Sequence, residues 1–372
     1  MKPLVERSLA QLAQILADEV RRRAFIARCL DLLFGALRCV CGLYALFLVC
    51  LWAGMGWLGE NHLTFAFLLY APPSVWLLPL VPLTLVSLLD WRSLAICGAS
   101  VVFALMVFFR PSFHSPDAPA TGEKTLTVLS YNRGQSGRTS LQPFMNACHP
   151  DVLVLQDSAR AALRTLKSPG YERFYYGDDI GEFTILSRFP VKEKELIHEG
   201  RRPVAARFEL DFDGSPVVIY AVHLMTPREQ LQALMRGAFL WGILGPLRTA
   251  WAQKRDAYEE FWHGQIAAAD TIMKLAESEE VPCMAVGDFN APATGFIQRR
   301  ITRKFRDSHE AAGQGFGFTF PGITRNPLSL GGPWMRIDKI ASSRQWRPLW
   351  SRAELDRASQ HRAVAAQFAL SR

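Results

Sequence analysis

Charge is missing from three long stretches of this chain. No Asp, Glu, Lys or Arg occurs from Cys39 to Leu58, from Leu63 to Leu89 or from Ser93 to Phe109. About 20 uncharged apolar residues are what a helix needs to span hydrocarbon, and soluble helices rarely go so long without charge. The runs exclude an ordinary soluble protein, and they start too late and number too many for a cleaved leader. The second run contains Pro72, Pro73, Pro79 and Pro82, which a membrane helix tolerates where neighbours satisfy the freed backbone groups. Cysteine is scarce outside this region. Cys29, Cys39, Cys41, Cys50 and Cys97 lie in or beside it, and only Cys148 and Cys283 follow. Neither has metal-site spacing, and both read as buried thiols rather than a disulfide. An acidic balance is absent too: the net charge is +8, which suits anionic lipid and equally suits nucleic acid. No internal repeat is present.

The positive charges set an expected orientation. Residues 1–38 carry Arg21, Arg22, Arg23, Arg28 and Arg38, whereas the first loop has Glu60 and neither Lys nor Arg. This predicts a cytoplasmic N-terminal segment over 1–38, then transmembrane helices over 39–109 in about three spans. Three crossings put everything after Arg110 on the far side of the membrane; the third run is short, and two crossings would reverse that. Residues 110–124, RPSFHSPDAPATGEK, read as a linker.

From Thr125 the pattern changes. LTVLSYN (126–132), DVLVLQD (151–157), FTILS (183–187), VVIYAVHL (217–224), CMAVGDFN (283–290), RIDKIAS (336–342) and the closing AVAAQFAL each read as a buried strand. Helical segments are expected around 139–148, 158–167 and 252–278. Strands alternating with helices predict a layered α/β domain over 125–372. Most of these strands carry, at one side, a residue able to bind metal or move protons: Asn132, Asp157, His223, Asp288 with Asn290, Asp338 and His361. Asp and Asn are common at strand ends because they favour turns. Six such strands together point further, to hard oxygen ligands for Mg2+ with histidines at the edge for acid–base work on a phosphate.

In order along the chain, VLSYN, PDVLVLQD, ILSRFPV, AVHL, VGDFNAP, RIDKIAS and SQHRAV resemble the motifs of the endonuclease/exonuclease/phosphatase superfamily, over Leu126 to Leu370. The resemblance implies a four-layered α/β sandwich, two mixed sheets flanked by helices, cleaving phosphoesters with Mg2+ or Mn2+. It implies that Asn132 and Asp157 hold the metal, with Gln360 beside them, and that Asp288 and Asn290 place the phosphate and nucleophile. Asp338 would orient His361 as the catalytic histidine, and His223 would face the phosphate from the opposite side. Two positions depart from the family pattern. Asp157 stands where Glu is usual, one methylene shorter, and Gln360 replaces the Asp of Ser-Asp-His with a neutral amide that coordinates weakly.

Apolar spans, a linker and then this domain are similar to the bacterial teicoplanin-resistance-type proteins. That likeness implies a bacterial inner-membrane location, an extracytoplasmic catalytic domain and a phospholipid or lipid-linked (pyro)phosphate as substrate. Between His223 and the last long helix, GAFLWGILGPL (237–247) lies between Arg236 and Arg248. It reads either as a helix pair packed on the domain or as an interfacial segment dipping into lipid. The alternatives are an anchored nuclease, which the basic charge permits and the apolar insertion disfavours, and a binding or scaffold protein with a decayed site.

Overall fold

The computed structural model describes residues 19–134, 139–234, 252–323, 327, 331–357 and 359–370. The insertion GAFLWGILGPL, with Arg236 and Arg248, lies outside them. The chain forms two compact units, Met1–Leu51 with Trp76–Ala104, and Trp52–Val75 with Leu105–Arg372. This division does not follow the sequence boundary at 109, because the segment 52–75 belongs with the later domain.

The first unit is helical. Helix α1 (Glu19–Trp57) is continuous, so the basic segment that the sequence set apart up to Arg38 is, from Glu19 onward, already helix. Its Arg, Leu and Ala residues are good helix formers, and nothing breaks the run. Helix α2 (Leu63–Leu69) belongs to the second unit, and α3 (Leu80–Ser87) and α4 (Trp91–Ala104) to the first. Among the described residues two helices are long and apolar enough to cross a membrane, Glu19–Trp57 and Trp91–Phe109. The number is three if Leu63–Leu69 and Pro73–Ser87 count as one span bent by 105°. Prolines 72 and 73 sit at that break, where each removes a backbone donor. Arg38 grips Asp90 through Nε (2.9 Å) and Nη2 (2.7 Å), while Asp90 also accepts the backbone N–H and hydroxyl of Ser93 at the start of α4. One turn on, the Cys41 and Cys97 sulfurs lie 3.6 Å apart as free thiols.

The second unit is an α/β sandwich. Its principal elements run β1 (Thr125–Asn132), α5 (Gln142–Cys148), β2 (Val152–Gln156), β3 (Tyr176–Ile180), β4 (Phe183–Ser187), β5 (Val191–Glu199), β6 (Arg202–Phe212), β7 (Ser215–His223), α6 (Arg228–Leu234), α7 (Ala252–Glu277), β8 (Cys283–Asp288), α8 (Phe296–Thr302), β9 (Arg306–Asp307), α9 (Ser308–Ala312), β10 (Asp338–Ser342), β11 (Trp346–Ala353) and β12 (Val364–Leu370), with a short helix, Ala162–Leu166, between β2 and β3. One six-stranded sheet has the order β9-β10-β8-β7-β6-β5 and the other β11-β12-β1-β2-β4-β3. Each is antiparallel except for one central pair, β7–β8 in the first and β1–β2 in the second. Those parallel pairs are the ones joined through helices, α7 and α5, as parallel pairing requires.

Alternation along β1 shows why the sheets stack. Leu126 and Val128 point into the layer between the sheets, with Phe208, Ile219, Val286 and Phe368, whereas Leu129 and Tyr131 point outward against Met145 of α5. On the other sheet Val218, Tyr220 and Val222 face Ile272 and Met273 of α7. Both faces of the central strands are covered, so they read as continuous apolar runs rather than alternating ones. The expected four layers are present. Cys148 and Cys283 are buried free thiols, as expected. The 110–124 stretch is irregular but fixed along its length. Ser112–Phe113 pairs with Gln314–Gly315, the Asp117 N–H donates to the Leu349 carbonyl, and Arg347 binds both Asp117 and Glu123.

Candidate active site

The carboxyl ends of the parallel strands meet at one rim of the sandwich, where open α/β sheets place their ligands. Asn132 ends β1 and Asp157 follows β2; His223 ends β7 and Asp288 ends β8. Asp338 begins β10 and lies opposite Asp288 in antiparallel register, and His361 precedes β12. The local sequence explains the placement. Gly287 has φ 146°, and a Cβ there would lie 2.0 Å from the Val222 carbonyl, so only glycine lets β8 pass this close to β7. Asp157 and Asn290 take φ of 51° and 45°, a left-handed conformation that Asp and Asn tolerate better than other L-residues.

Three side-chain pairs close the centre. His361 Nδ1 lies 3.1 Å from Asp338 Oδ2, and its ring packs on Phe320 with centroids 4.8 Å apart. Both groups of the pair are buried. Burial works against an imidazolium here, but the Asp338 and Asp288 carboxylates outweigh it and lift the His361 pKa to about 9. His223 Nδ1 lies 3.0 Å from Glu182 Oε1, with Asp157 Oδ1 at 4.0 Å. Its pKa also rises to about 9, because the hydrogen bond to Glu182 and the charges of Asp288, Glu182 and Asp157 overcome burial. Asn132 donates from Nδ2 to Asp288 Oδ2 at 2.9 Å and accepts the Gly134 N–H on Oδ1. Burial and the neighbouring Asp338 push Asp288 above the usual carboxylate range.

Asn290 is placed less simply. Its backbone N–H donates to Asp288 Oδ1 (2.8 Å), and its amide donates to the Leu224 carbonyl (2.8 Å) and Asp288 Oδ2 (3.1 Å). The amide that the resemblance assigned to the phosphate is therefore committed to holding Asp288. Gln360 is exposed at the rim, facing Gly134.

Sequence reasoning missed Glu182. It lies with Gly181 in the two-residue turn between β3 and β4, where Ile180 pairs Phe183. An acidic residue in a hairpin turn carries no signal of its own; only the register that carries the turn over His223 gives it a role. Asp157, Glu182 and His223 offer ligand atoms within 4.8 Å of one another, as do Asp288, Asp338 and His361. Asp157 and Glu182 offer hard oxygens of the kind that suit a divalent cation, and Asn132 lines the same cavity. The site opens into a cavity of about 520 Å³. Asn132, Asp157, Glu182, His223, Asp288 and His361 line it together with the apolar Tyr70, Leu224, Leu231, Phe320, Met335 and Ile337, and Arg202 and Arg228 stand among the polar lining residues.

A two-sheet sandwich with His–carboxylate pairs and acidic clusters at its strand ends has the build of a phosphoester hydrolase. A model of the endonuclease/exonuclease/phosphatase family matches residues 129–361, more than half of the chain, and the chain belongs to that family. Members act as hydrolases on phosphate esters and generally depend on a divalent metal. No curated protein matches the chain. Among solved structures it is similar to truncated TDP2 of Caenorhabditis elegans, at 18% identity over 66% of this chain and 98% of that one, with a TM-score of 0.44. It is also similar to an endonuclease/exonuclease/phosphatase from Bacteroides vulgatus, at 14% identity, 67% and 100% coverage and a TM-score of 0.47. A functionally unknown conserved protein from Enterococcus faecalis gives 15%, 66% and 100%, and 0.45.

Proposed function

We propose that the protein is a membrane-anchored, Mg2+-dependent phosphoesterase acting on a membrane phospholipid or a lipid-linked (pyro)phosphate. The observation that carries this reading is the cavity's mixed lining, in which His223, Asp288 and His361 stand with Tyr70, Leu224, Leu231 and Phe320. Tyr70 belongs to the stretch between the two helices able to cross a membrane. The polar lining residues suit a phosphate, and the apolar ones suit the hydrocarbon attached to it.

Asn132, Asp157 and Glu182 would hold the cation, which supplies charge neutralisation on phosphoryl oxygens. Gln360, at the rim, is an outlying ligand at most. The rest of the chemistry belongs to the chain. With Nδ1–H donated to Asp338, Nε2 of His361 is the nitrogen that takes up and gives back a proton, and the carboxylate fixes the ring's orientation and raises its basicity. His223, held by Glu182 on the other side, offers its Nε2 proton to a phosphoryl oxygen. Asn290 keeps Asp288 aimed through two hydrogen bonds.

Three crossings and an extracytoplasmic catalytic domain are supported by the pairing of α1 with α4. Arg38 meets Asp90 and Cys41 meets Cys97, so the two helices advance in the same direction. Parallel helices need a returning crossing between them, and the bent Leu63–Ser87 pair is available for it. The arginines before the first span favour a cytoplasmic N-terminus, in the manner of the teicoplanin-resistance-type proteins.

Purified full-length protein in lipid nanodiscs is assayed for release of phosphate or headgroup from phospholipid and prenyl-pyrophosphate substrates, with Mg2+ and with chelator. The expected result is metal-dependent turnover that His361→Ala reduces by about 10³-fold or more. Cleavage of DNA but not lipid would replace this reading with an anchored nuclease. No turnover on any phosphoester would leave a binding protein.

A further inference from the structure

The catalytic cavity has a wall that the sandwich does not supply. Tyr70, at the C-terminal end of α2, is 7% exposed. Its hydroxyl donates to the Asn290 carbonyl at 2.6 Å. Its own carbonyl accepts the Trp334 indole N–H at 3.1 Å, and its ring packs against Trp262 of α7 with centroids 5.7 Å apart. A second contact lies in the same segment. Glu60, 1% exposed, accepts the N–H groups of Phe296 (2.7 Å) and Ile297 (3.2 Å) at the start of α8. The loop from Asn290 to Phe296 is therefore gripped at both ends by residues that precede the whole α/β domain in sequence.

The held residue matters. Asn290 sits at φ 45°, and its N–H and amide bind both oxygens of Asp288. In that conformation its carbonyl turns away from any strand ladder, and a buried carbonyl needs a donor from elsewhere. Tyr70 is that donor.

We propose that Tyr70 is a positioning residue, through which the second apolar run holds Asn290, and with it Asp288, in the geometry the site uses. On this reading the apolar segment is part of the active site rather than an anchor alone. The catalytic consequence rests on the function proposed above, but the effect on the polar cluster does not. Asp288 binds Asn132 directly, so a loosened Asn290 loosens the oxygen set that would hold the cation.

The test uses the full chain in nanodiscs and two variants. Tyr70→Phe keeps the ring against Trp262 and removes the hydrogen bond; Trp334→Phe removes the donor to the Tyr70 carbonyl. Two probes are read: Mn2+ alone, by the paramagnetic resonance signal of the free ion, and bis(4-nitrophenyl) phosphate hydrolysis with Mg2+. Tyr70→Phe is expected to raise the Mn2+ Kd about fivefold and lower kcat about tenfold, with KM within about twofold, as one lost hydrogen bond implies. Trp334→Phe is expected to shift both in the same direction by less. Parent-like Mn2+ affinity and kcat in both variants would overturn the proposal. A change in KM alone would also overturn it, since Tyr70 would then be only a wall of the cavity. A parent that hydrolyses no phosphoester sinks the proposed function instead, and the Mn2+ shift still decides the role of Tyr70.

Discussion

Replacing Asp338 with Asn separates what the site requires from what the fold requires. Asp338 is buried, lies opposite Asp288 in register, and accepts the hydrogen bond from His361. Asn is isosteric, and its amide oxygen still accepts from Nδ1, so the geometry survives and only the charge is lost. A charge-assisted bond of about 1.5–3 kcal/mol becomes a neutral one of about 1, a loss on the order of 1–2 kcal/mol. Against this stands the repulsion between two carboxylates whose ligand atoms lie within 4.8 Å of one another. At an effective dielectric of about 20 that repulsion is worth roughly 3 kcal/mol. The two changes offset, so the melting temperature should hold or rise by a few degrees. Turnover behaves differently. The carboxylate that fixes the His361 tautomer and stabilises its imidazolium is gone, and kcat should fall by about 10²–10⁴. Initial rates on bis(4-nitrophenyl) phosphate and thermal unfolding of the same samples check both halves. A rate within threefold of the parent, or a fall in melting temperature that tracks the fall in rate, would refute the reasoning.

Two other perturbations give clear readings. Glu182→Gln removes the carboxylate beside Asp157, and Mn2+ affinity by calorimetry should weaken by about 10–100-fold with little loss of fold, because the residue lies in a hairpin turn. His309 donates from Nε2–H to the Gly315 carbonyl (3.1 Å), and burial, with Arg336 nearby, pushes its pKa down to about 4. A depressed histidine contributes stability that is complete above its unfolded value of about 6.5 and is lost as pH falls toward 4. The loss amounts to about 3 kcal/mol, so His309→Gln should flatten the stability curve between those pH values relative to the parent. Denaturant midpoints across that range measure it; parallel curves for parent and variant would rule it out.

The strands were legible where burial on both faces made them uniformly apolar. LTVLSYN, DVLVLQD and CMAVGDFN lie within two residues of the observed strands because no other element tolerates such short apolar runs with polar ends. Strands β5 and β11 were not legible. VKEKELIHE is exposed along most of its length, and WRPLWSRA mixes Arg and Pro with Trp, so neither shows a buried pattern. The site was legible where a residue closes a strand, as Asn132, His223 and Asp288 do. Glu182 and Tyr70 were invisible for one reason: each reaches the site through long-range packing, and neither its own residue type nor its neighbours mark it. For Asn290 the sequence gives the place of an amide but not the partners it finds, which in the structure are Asp288 and the Leu224 carbonyl.

The three polar pairs of the centre share a property that none has alone. Asn132 with Asp288, Glu182 with His223, and His361 with Asp338 each join a residue of one sheet, or of the loops at its edge, to a residue of the other. The centre is thus a gauge of alignment between two slabs. A slip of one sheet by a fraction of an ångström strains all three joints together, although no polar residue has been touched. Interior residues far from the rim, such as Val128, Phe208 and Phe368, set that alignment by how they interdigitate. A resized side chain deep between the sheets therefore acts at the rim, and a screen for lost turnover would recover core positions alongside the histidines.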